Sequence, residues 1–289
     1  MKNLILTKFF TPLLLVLFLS GSLLAKDYPN IPKDLNMKSY CDKSGGKYGH
    51  VIVVIDLTSD LQKAQIDFIK DQVFSKEFYT NYYPFTKFSY FLIDNKKPQE
   101  QEFIFSKCRP KTGNKRFRKN EAASFSENVK VLEKFSNNFF LQAEAAFNSI
   151  FKNKINSDNS FIYETIAYIF QNPKSDFGSK HSEAYKRELI LVSDLMQNSK
   201  RLSFYKACNA SSANAKCPKF DTFMQNLSDK DYLTATAPKG NNINLKIIYL
   251  NNRYETNKEI DRSLKELWKD YFANQNFKNI KVISQLDIN

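Results

Sequence analysis

Hydrophobic runs and repeats along the chain alternate between strand patterns and helix patterns. Val51–Ile55 is a continuous β-branched run, and Leu189–Val192 is a second apolar run of the same kind. Such runs are typical of strands that are buried on both faces of a parallel sheet. Apolar residues that recur every three or four positions predict amphipathic helices over 61–78, 124–151, 158–170 and 258–272. Ser59 or Asp60 is expected to cap the first helix.

A hairpin interrupts this alternation. Strand-like segments at 85–93 and 102–106 are joined by Asp94–Pro98, a link too short for a parallel crossover, so the two strands must run antiparallel. Strands at 243–250 and 280–283 complete the pattern. The sequence therefore predicts an α/β fold, in which a doubly wound, mostly parallel sheet carries one antiparallel edge strand.

The first 25 residues have the layout of a secretory signal. A lysine near the start is followed by the apolar run Leu13–Leu19 and by small residues up to Ala25, after which cleavage is expected. Residues 26–49 are polar and contain prolines and glycines, which favours an extended segment. The domain proper then occupies 50–289. We expect a periplasmic or secreted protein with no membrane span after the signal, and the alternative is an uncleaved signal that anchors the chain in the membrane.

Four cysteines, an even number, fit the oxidising compartment that export implies. Cys208 and Cys217 lie in one loop of small polar residues and can close a short ring, which leaves Cys41 to bond Cys108. Of the three possible pairings, this one makes the least demand on topology. A zinc site is the alternative use of the cysteines, but the sequence has no Cys-x-x-Cys pair, and its two histidines have no partner at ligand spacing.

The chain is basic, with a formal net charge of +13. Most charges are spread along the sequence, and the abundance of Lys, Asn, Ile, Phe and Tyr indicates a general compositional bias. One run, 107–119, concentrates positive charge, and we expect it to form a solvated loop that can contact nucleic acid or another polyanion. Its candidate contacts are Arg109, Lys111, Lys115, Arg116 and Arg118.

Two of the predicted strands end in an aspartate, Asp56 after the first and Asp194 after the fourth. In a doubly wound sheet, binding sites lie at the carboxyl ends of the strands, near the point where the strand order reverses. If the first and fourth strands are neighbours, Asp56 and Asp194 face one crevice.

Over residues 50–283 the sequence resembles the von Willebrand factor type A family. The resemblance rests on Val51–Asp56 with its loop to Asp60, on the antiparallel hairpin strand, on the helix start at Ser160 and on Leu189–Asp194. It implies a Rossmann-like fold with a metal-ion-dependent adhesion site. In family members with a full site, an Asp-x-Ser-x-Ser loop, a threonine from a later loop and an aspartate after the fourth strand hold Mg²⁺.

Matched position by position, the resemblance assigns the two carboxylates to Asp56 and Asp194, and Thr58 replaces the first serine. Asp60 stands where the second serine is expected, and Ser157 or Ser160 is the substitute for the threonine, so the site is a degenerate one. The candidate ligands are Asp56, Thr58, Asp60, Ser160 and Asp194, for Mg²⁺ or alternatively Mn²⁺ or Ca²⁺. Without an ion, Asp60 would cap the helix while Asp56 and Asp194 bond neighbouring loops.

The sequence favours a non-enzymatic module that engages a protein partner at this edge. Nucleophile motifs and glycine-rich phosphate loops are absent, and neither histidine falls in a motif. A divalent-metal phosphoester hydrolase or nuclease is the second hypothesis, because three acids and a basic surface fit that chemistry. A polyanion-binding envelope protein is the third. A haloacid-dehalogenase-like phosphatase is disfavoured, because that chemistry needs an aspartate at the position that Thr58 occupies in this chain.

Overall fold

The fold is an α/β sheet with helices on both faces, seen in a computed structural model that describes most of the chain from Tyr40 to Ser284. The described residues are 40–41, 49–114, 121–123, 127–152, 157–172, 175, 177, 186–209, 215–226, 242–251 and 258–284. The predicted signal segment and most of the extended segment 26–49 lie outside them. None of the described helices combines the length and the apolar character needed to span a bilayer.

The elements follow the predicted order closely. They are β1 (His50–Asp56), α1 (Lys63–Val73), α2 (Lys76–Thr80), β2 (Lys87–Ile93), a 3-10 turn (Pro98–Glu100), β3 (Phe105–Cys108), α3 (Val129–Phe151), α4 (Ile162–Gln171), β4 (Arg187–Ser193), α5 (Phe204–Ala207), α6 (Phe220–Gln225), β5 (Ile243–Tyr249), α7 (Lys258–Asn274) and β6 (Lys278–Ser284).

The six strands form one sheet in the order β3-β2-β1-β4-β5-β6. β3 pairs with β2 in the antiparallel direction, and every other neighbouring pair is parallel. The strand order reverses between β1 and β4, which places the topological switch point of the fold between these two strands. The predicted fold class and its antiparallel edge strand are thereby confirmed.

Side chains of β1 alternate between two hydrophobic cores, because successive residues of a strand point to opposite faces of a sheet. Ile52 and Val54 pack with α4 and α7 on one face. Val51, Val53 and Ile55 pack with α1 and α3 on the other. All five side chains are fully buried, so the continuous apolar run reflects a strand covered on both sides.

Two details of the first helical region differ from the sequence prediction. The chain forms two helices in place of one, because Ser75 leaves the helical conformation and its hydroxyl accepts a hydrogen bond from the Phe78 amide. The cap of α1 is Gln62, whose backbone N–H donates to the Gln65 side chain. Ser59 and Asp60 were the expected caps. Ser59 does not cap the helix because its hydroxyl bonds Asp194.

Two disulfides are present, Cys41–Cys108 and Cys208–Cys217, and the predicted pairing is confirmed. Cys108 is the last residue of β3, so the first disulfide attaches the segment around Tyr40 to the edge of the sheet. Tyr40 is buried and accepts a hydrogen bond from the Asn138 side chain of α3. This part of the predicted extended segment therefore packs against the domain.

Candidate functional site

The carboxyl ends of β1 and β4 lie side by side at the switch point. The two strands are parallel neighbours with Ile55 opposite Val192, so their next residues reach the same edge of the sheet. Asp56 ends β1, and Asp194 directly follows the last residue of β4. The two aspartates that the sequence singled out are therefore brought to adjacent strand ends, as the pattern predicted.

Asp56 accepts four hydrogen bonds and is almost completely buried. One carboxylate oxygen, Oδ1, accepts from the backbone N–H of Thr58 at 3.1 Å and from its hydroxyl at 2.6 Å. The other, Oδ2, accepts from the hydroxyls of Ser160 at 3.0 Å and Ser193 at 2.8 Å. Hydroxyl groups from three separate segments thus converge on one carboxylate.

Asp194 is buried to a similar extent and closes the other side of the cluster. Its Oδ2 accepts from the Ser59 hydroxyl at 3.0 Å, and its Oδ1 accepts from the backbone N–H of Met196 at 3.0 Å. The loop after β1 therefore contacts both acids, Asp56 through Thr58 and Asp194 through Ser59.

The two acids influence each other electrostatically. Burial and, to a smaller extent, the negative charge of Asp194 raise the pKa of Asp56, hydrogen bonds from Thr58 and Ser193 oppose the increase, and together these effects place the pKa at about 6. Hydroxyl dipoles therefore compensate the paired negative charge only in part. A positive charge between the carboxylates would remove the repulsion between them.

Backbone bonds tie the three loops of the site to one another. Ser160 and Asn198 exchange two hydrogen bonds of 2.8 Å between their backbones, so the start of the α4 segment is joined to the loop after β4. The backbone N–H of Ser157 donates to the Thr58 carbonyl at 3.3 Å, which links the same segment to the loop after β1. The hydroxyls are consequently held by a connected framework.

Of the five predicted ligands, the structure gathers Asp56, Thr58, Ser160 and Asp194. The fifth, Asp60, is exposed to solvent one position beyond Ser59. Sequence reasoning did not select Ser59 and Ser193. Strand register offered a signal for Ser193, because Val192 lies opposite Ile55 and the residues that follow them are Ser193 and Asp56, but the direction of the Ser59 side chain depends on the path of the loop. Among the described residues, no group of three or more His, Cys, Asp or Glu side chains is arranged to hold a metal ion.

The basic run between β3 and α3 does not present all of its charges to solvent. Arg109 is fully buried, and its guanidinium donates to both carboxylate oxygens of Glu121 and to the Tyr82 carbonyl. Lys111 is also buried, in an ion pair of 3.0 Å with Glu127. The expectation of a solvated loop is therefore wrong for these two residues, because acids farther along the chain neutralise them. Lys115, Arg116 and Arg118 lie outside the described residues.

Fold and site together define a doubly wound α/β domain with a hydroxyl-lined pair of acids at its switch point. No protein-family model matches the sequence, and no curated protein matches it.

Among solved structures, proximal thread matrix protein 1 from the mussel byssus is similar in one crystal form at 10% identity over 84% of this chain, with a TM-score of 0.36. A structure of that protein with a zinc-occupied MIDAS motif is similar at 11% identity over 83% of this chain, also with a TM-score of 0.36. The chain spans 45% and 44% of the length of these two structures.

Proposed function

We propose that this protein is an exported binding module of the von Willebrand factor type A kind, which engages a protein partner at the carboxyl edge of its sheet through a divalent cation, Mg²⁺ in the first place. One observation carries the proposal. Two buried acids from adjacent parallel strands share a cluster with four hydroxyl groups, those of Thr58, Ser59, Ser160 and Ser193.

The donor set of the cluster suits a hard cation. Mg²⁺ takes oxygen ligands in octahedral geometry and keeps several waters when few carboxylates are available. Every side-chain atom in the cluster that could bind a metal ion is an oxygen, and only two of the side chains are acids. Asp56 and Asp194 would hold the ion directly, with Thr58, Ser59 and Ser160 as hydroxyl ligands or as partners of its waters.

The hydroxyl groups have a second use in this arrangement. In the present geometry they donate to the two carboxylates, which orients both acids and fixes the loops that carry them. A bound Mg²⁺ would neutralise the acid pair and leave an open coordination position for a carboxylate of the partner. Because the protein supplies only two negative charges, the site with Mg²⁺ bound would carry no net negative charge to repel an anionic ligand from outside.

Export is part of the proposal, and two observations support it. The N-terminal 25 residues have the composition of a secretory signal, and two disulfides join the described cysteines. Disulfides persist in the periplasm and outside the cell, whereas cytosolic thiols are kept reduced. We place the binding domain at residues 50–289.

Titration of the purified protein with Mg²⁺ and with Mn²⁺ in a calorimeter tests whether the site binds a divalent cation. We expect one ion per chain. At a free concentration of 100 times the dissociation constant, the ion should raise the free energy of unfolding by about 2.7 kcal/mol. Asp56→Asn and Asp194→Asn should each abolish the binding heat, since each removes one of the two negative charges.

Asp67→Asn is the matched control, because Asp67 is an exposed acid on α1 outside the cluster. It should bind the ion as the wild type does. Absence of both binding heat and stabilisation in the wild type would exclude the cation, and equal binding by the Asp56→Asn variant would place the ion elsewhere. Partner binding is then measured with and without EDTA, and a partner whose binding is unchanged by EDTA would refute the cation-mediated contact.

A further inference from the structure

The turn that follows β4 contains an unusual backbone conformation next to the site. We call residues 194–197 the Asp194 turn. Leu195 has a φ of +64°, in the left-handed region that residues with a Cβ atom seldom adopt. Its side chain is fully buried in the core formed with α4 and α7. A conformation of this kind persists only where surrounding contacts hold it, and such positions concentrate at functional sites.

The side chain of Trp268, on α7, is hydrogen-bonded to the backbone of this turn. The indole N–H of Trp268 donates to the Leu195 carbonyl at 2.9 Å, and Trp268 is buried. The Leu195 carbonyl also accepts from the backbone N–H of Gln197 at 3.0 Å. On its other side, the Leu195 N–H donates to the Ser193 hydroxyl, which itself donates to Asp56. Leu195 is therefore bonded to α7 and to the acid cluster at once.

Gln197 fixes the far end of the turn to α4. Its side-chain oxygen accepts from the Tyr163 N–H at 2.7 Å, and its side-chain nitrogen donates to Glu164 at 3.0 Å. Gln197 is fully buried, and its bond to Tyr163 is shielded from solvent, whereas its bond to Glu164 is partly exposed. The Asp194 turn is thus held between two helices, with α4 at one end and α7 in the middle.

We infer that Trp268 is a positioning residue for Asp194, because its indole N–H holds the left-handed turn that directs the Asp194 carboxylate toward Ser59 and Asp56. The inference rests on the proposed function, since it assigns the turn to the same site. When the indole bond is removed, Leu195 relaxes toward negative φ, and the carboxylate of the preceding residue moves away from the cluster.

Trp268→Phe tests this inference, because phenylalanine preserves an aromatic ring in the cluster with Phe204 and Phe272 but has no N–H donor. Hydrogen exchange is measured on the protein without metal. We expect the amides of Leu195, Met196 and Gln197 to exchange about fivefold to tenfold faster than in the wild type, which corresponds to the loss of one buried hydrogen bond.

Phe272→Leu is the matched control, since it disturbs the same helix and aromatic cluster without removing a bond to the turn. In this variant, exchange at 195–197 should rise no more than exchange across the rest of the core. Equal acceleration at the turn in both variants, or none in Trp268→Phe, overturns the inference. If Trp268→Phe does not fold, benzothienylalanine at position 268 replaces the N–H by sulfur in a ring system of nearly the same size and provides the same measurement.

A second measurement connects the turn to the cation. The dissociation constant for Mg²⁺ should rise by about tenfold in Trp268→Phe, as is found when groups that orient metal ligands are removed, and should stay within about twofold of the wild type in Phe272→Leu. The two measurements separate the possible failures. If the wild type binds no Mg²⁺ while the exchange result holds, the proposed function fails and the role of Trp268 in holding the turn stands. If Mg²⁺ binds with equal affinity to wild type and Trp268→Phe, the positioning role is refuted and the proposed function stands.

Discussion

His50, the first residue of β1, is a buried histidine at the amino end of the strand that carries Asp56. Its Nε2 lies 3.2 Å from the Ser89 hydroxyl, and its ring packs edge-on against Phe177. Burial lowers the pKa of His50 well below 6.5, and the positive charges of Lys87 and Arg187 lower it further. The folded protein therefore holds this imidazole neutral at pH values where the unfolded chain protonates it.

We predict that His50 makes the protein less stable as the pH falls below about 6.5. In that range the unfolded state binds a proton that the folded state does not, so lowering the pH favours unfolding. The stability contributed by neutral His50 is fully present above pH 6.5 and decreases below it. Urea denaturation of wild type and His50→Gln between pH 7.5 and 5 measures the effect.

The variant supplies its own reference, because glutamine does not titrate and can keep a bond to Ser89. The difference in unfolding free energy between the two proteins should change steadily in favour of His50→Gln as the pH decreases. If the unfolding free energies of the two proteins change in parallel with pH, His50 does not contribute to the pH dependence of stability.

At the same scale, single residues of the site differ in how far the sequence could predict them. Asp56 and Asp194 were predictable because a strand pattern fixes where each strand ends. Ser59 was not, because its contact with Asp194 depends on the path of a loop. Ser193 lies within a strand pattern, yet its role requires knowing that β1 is the neighbour of β4. Contacts between residues more than 100 positions apart are set by the packed fold.

Among the elements, the connection from β3 to α3 depends on buried charge. Arg109 and Glu121 are both fully buried, and their ion pair also involves the Thr112 N–H, which donates to Glu121. Glu121→Gln removes the negative charge and leaves the guanidinium uncompensated in the interior. We predict a loss of about 3–5 kcal/mol in unfolding free energy, as is typical when one partner of a buried pair is removed.

Glu144→Gln is the comparison variant, because its ion pair with Lys70 is about half exposed on both sides. Its cost should stay below about 1 kcal/mol, since exposed pairs contribute little. Chemical denaturation of wild type and both variants measures the two losses in unfolding free energy. Similar losses in the two would mean that burial does not control the strength of the Arg109–Glu121 pair.

The helices illustrate where the apolar pattern is sufficient and where it is not. The repeat through Phe78 continues across Ser75, so periodicity alone predicts one helix, whereas the hydroxyl of Ser75 starts a second one. The hairpin strands are also displaced, to 87–93 and 105–108. Phe85 has a positive φ of 65° and its N–H bonds Arg109, so it precedes the regular strand. Hydrophobic spacing predicted the type of each element, whereas the ends depend on particular hydrogen bonds and backbone conformations, such as those of Ser75 and Phe85.

For the whole molecule, the two disulfides close loops of different length. Cys41 and Cys108 are 67 residues apart, and Cys208 and Cys217 are 9 residues apart. Chain entropy in the unfolded state predicts a stabilisation of about 4 kcal/mol from the longer loop and about 2.5 kcal/mol from the shorter one. Paired Cys→Ser variants, one pair at a time, should lose stability in that order. A greater loss from the Cys208–Cys217 pair would mean that contacts outweigh loop closure.

The arrangement of the sheet was the most predictable property of the molecule. Two continuous apolar runs with helical crossovers favour parallel neighbours, and the short link after Ile93 requires an antiparallel pair. The buried ion pairs were not predictable, since a cluster of basic residues in sequence gives no information on the distant acids that neutralise it. Long-range polar contacts of this kind determine which charges remain at the surface.

Trp268 is the sole tryptophan in a chain with 15 tyrosines, and its indole is hydrogen-bonded beside the acid cluster. Excitation at 295 nm therefore selects one fluorophore that reports on one location. The wavelength of its emission maximum and its near-ultraviolet dichroism provide a label-free optical signal of conformational events at that edge, which can be followed in stopped-flow mixing without chemical modification of the protein.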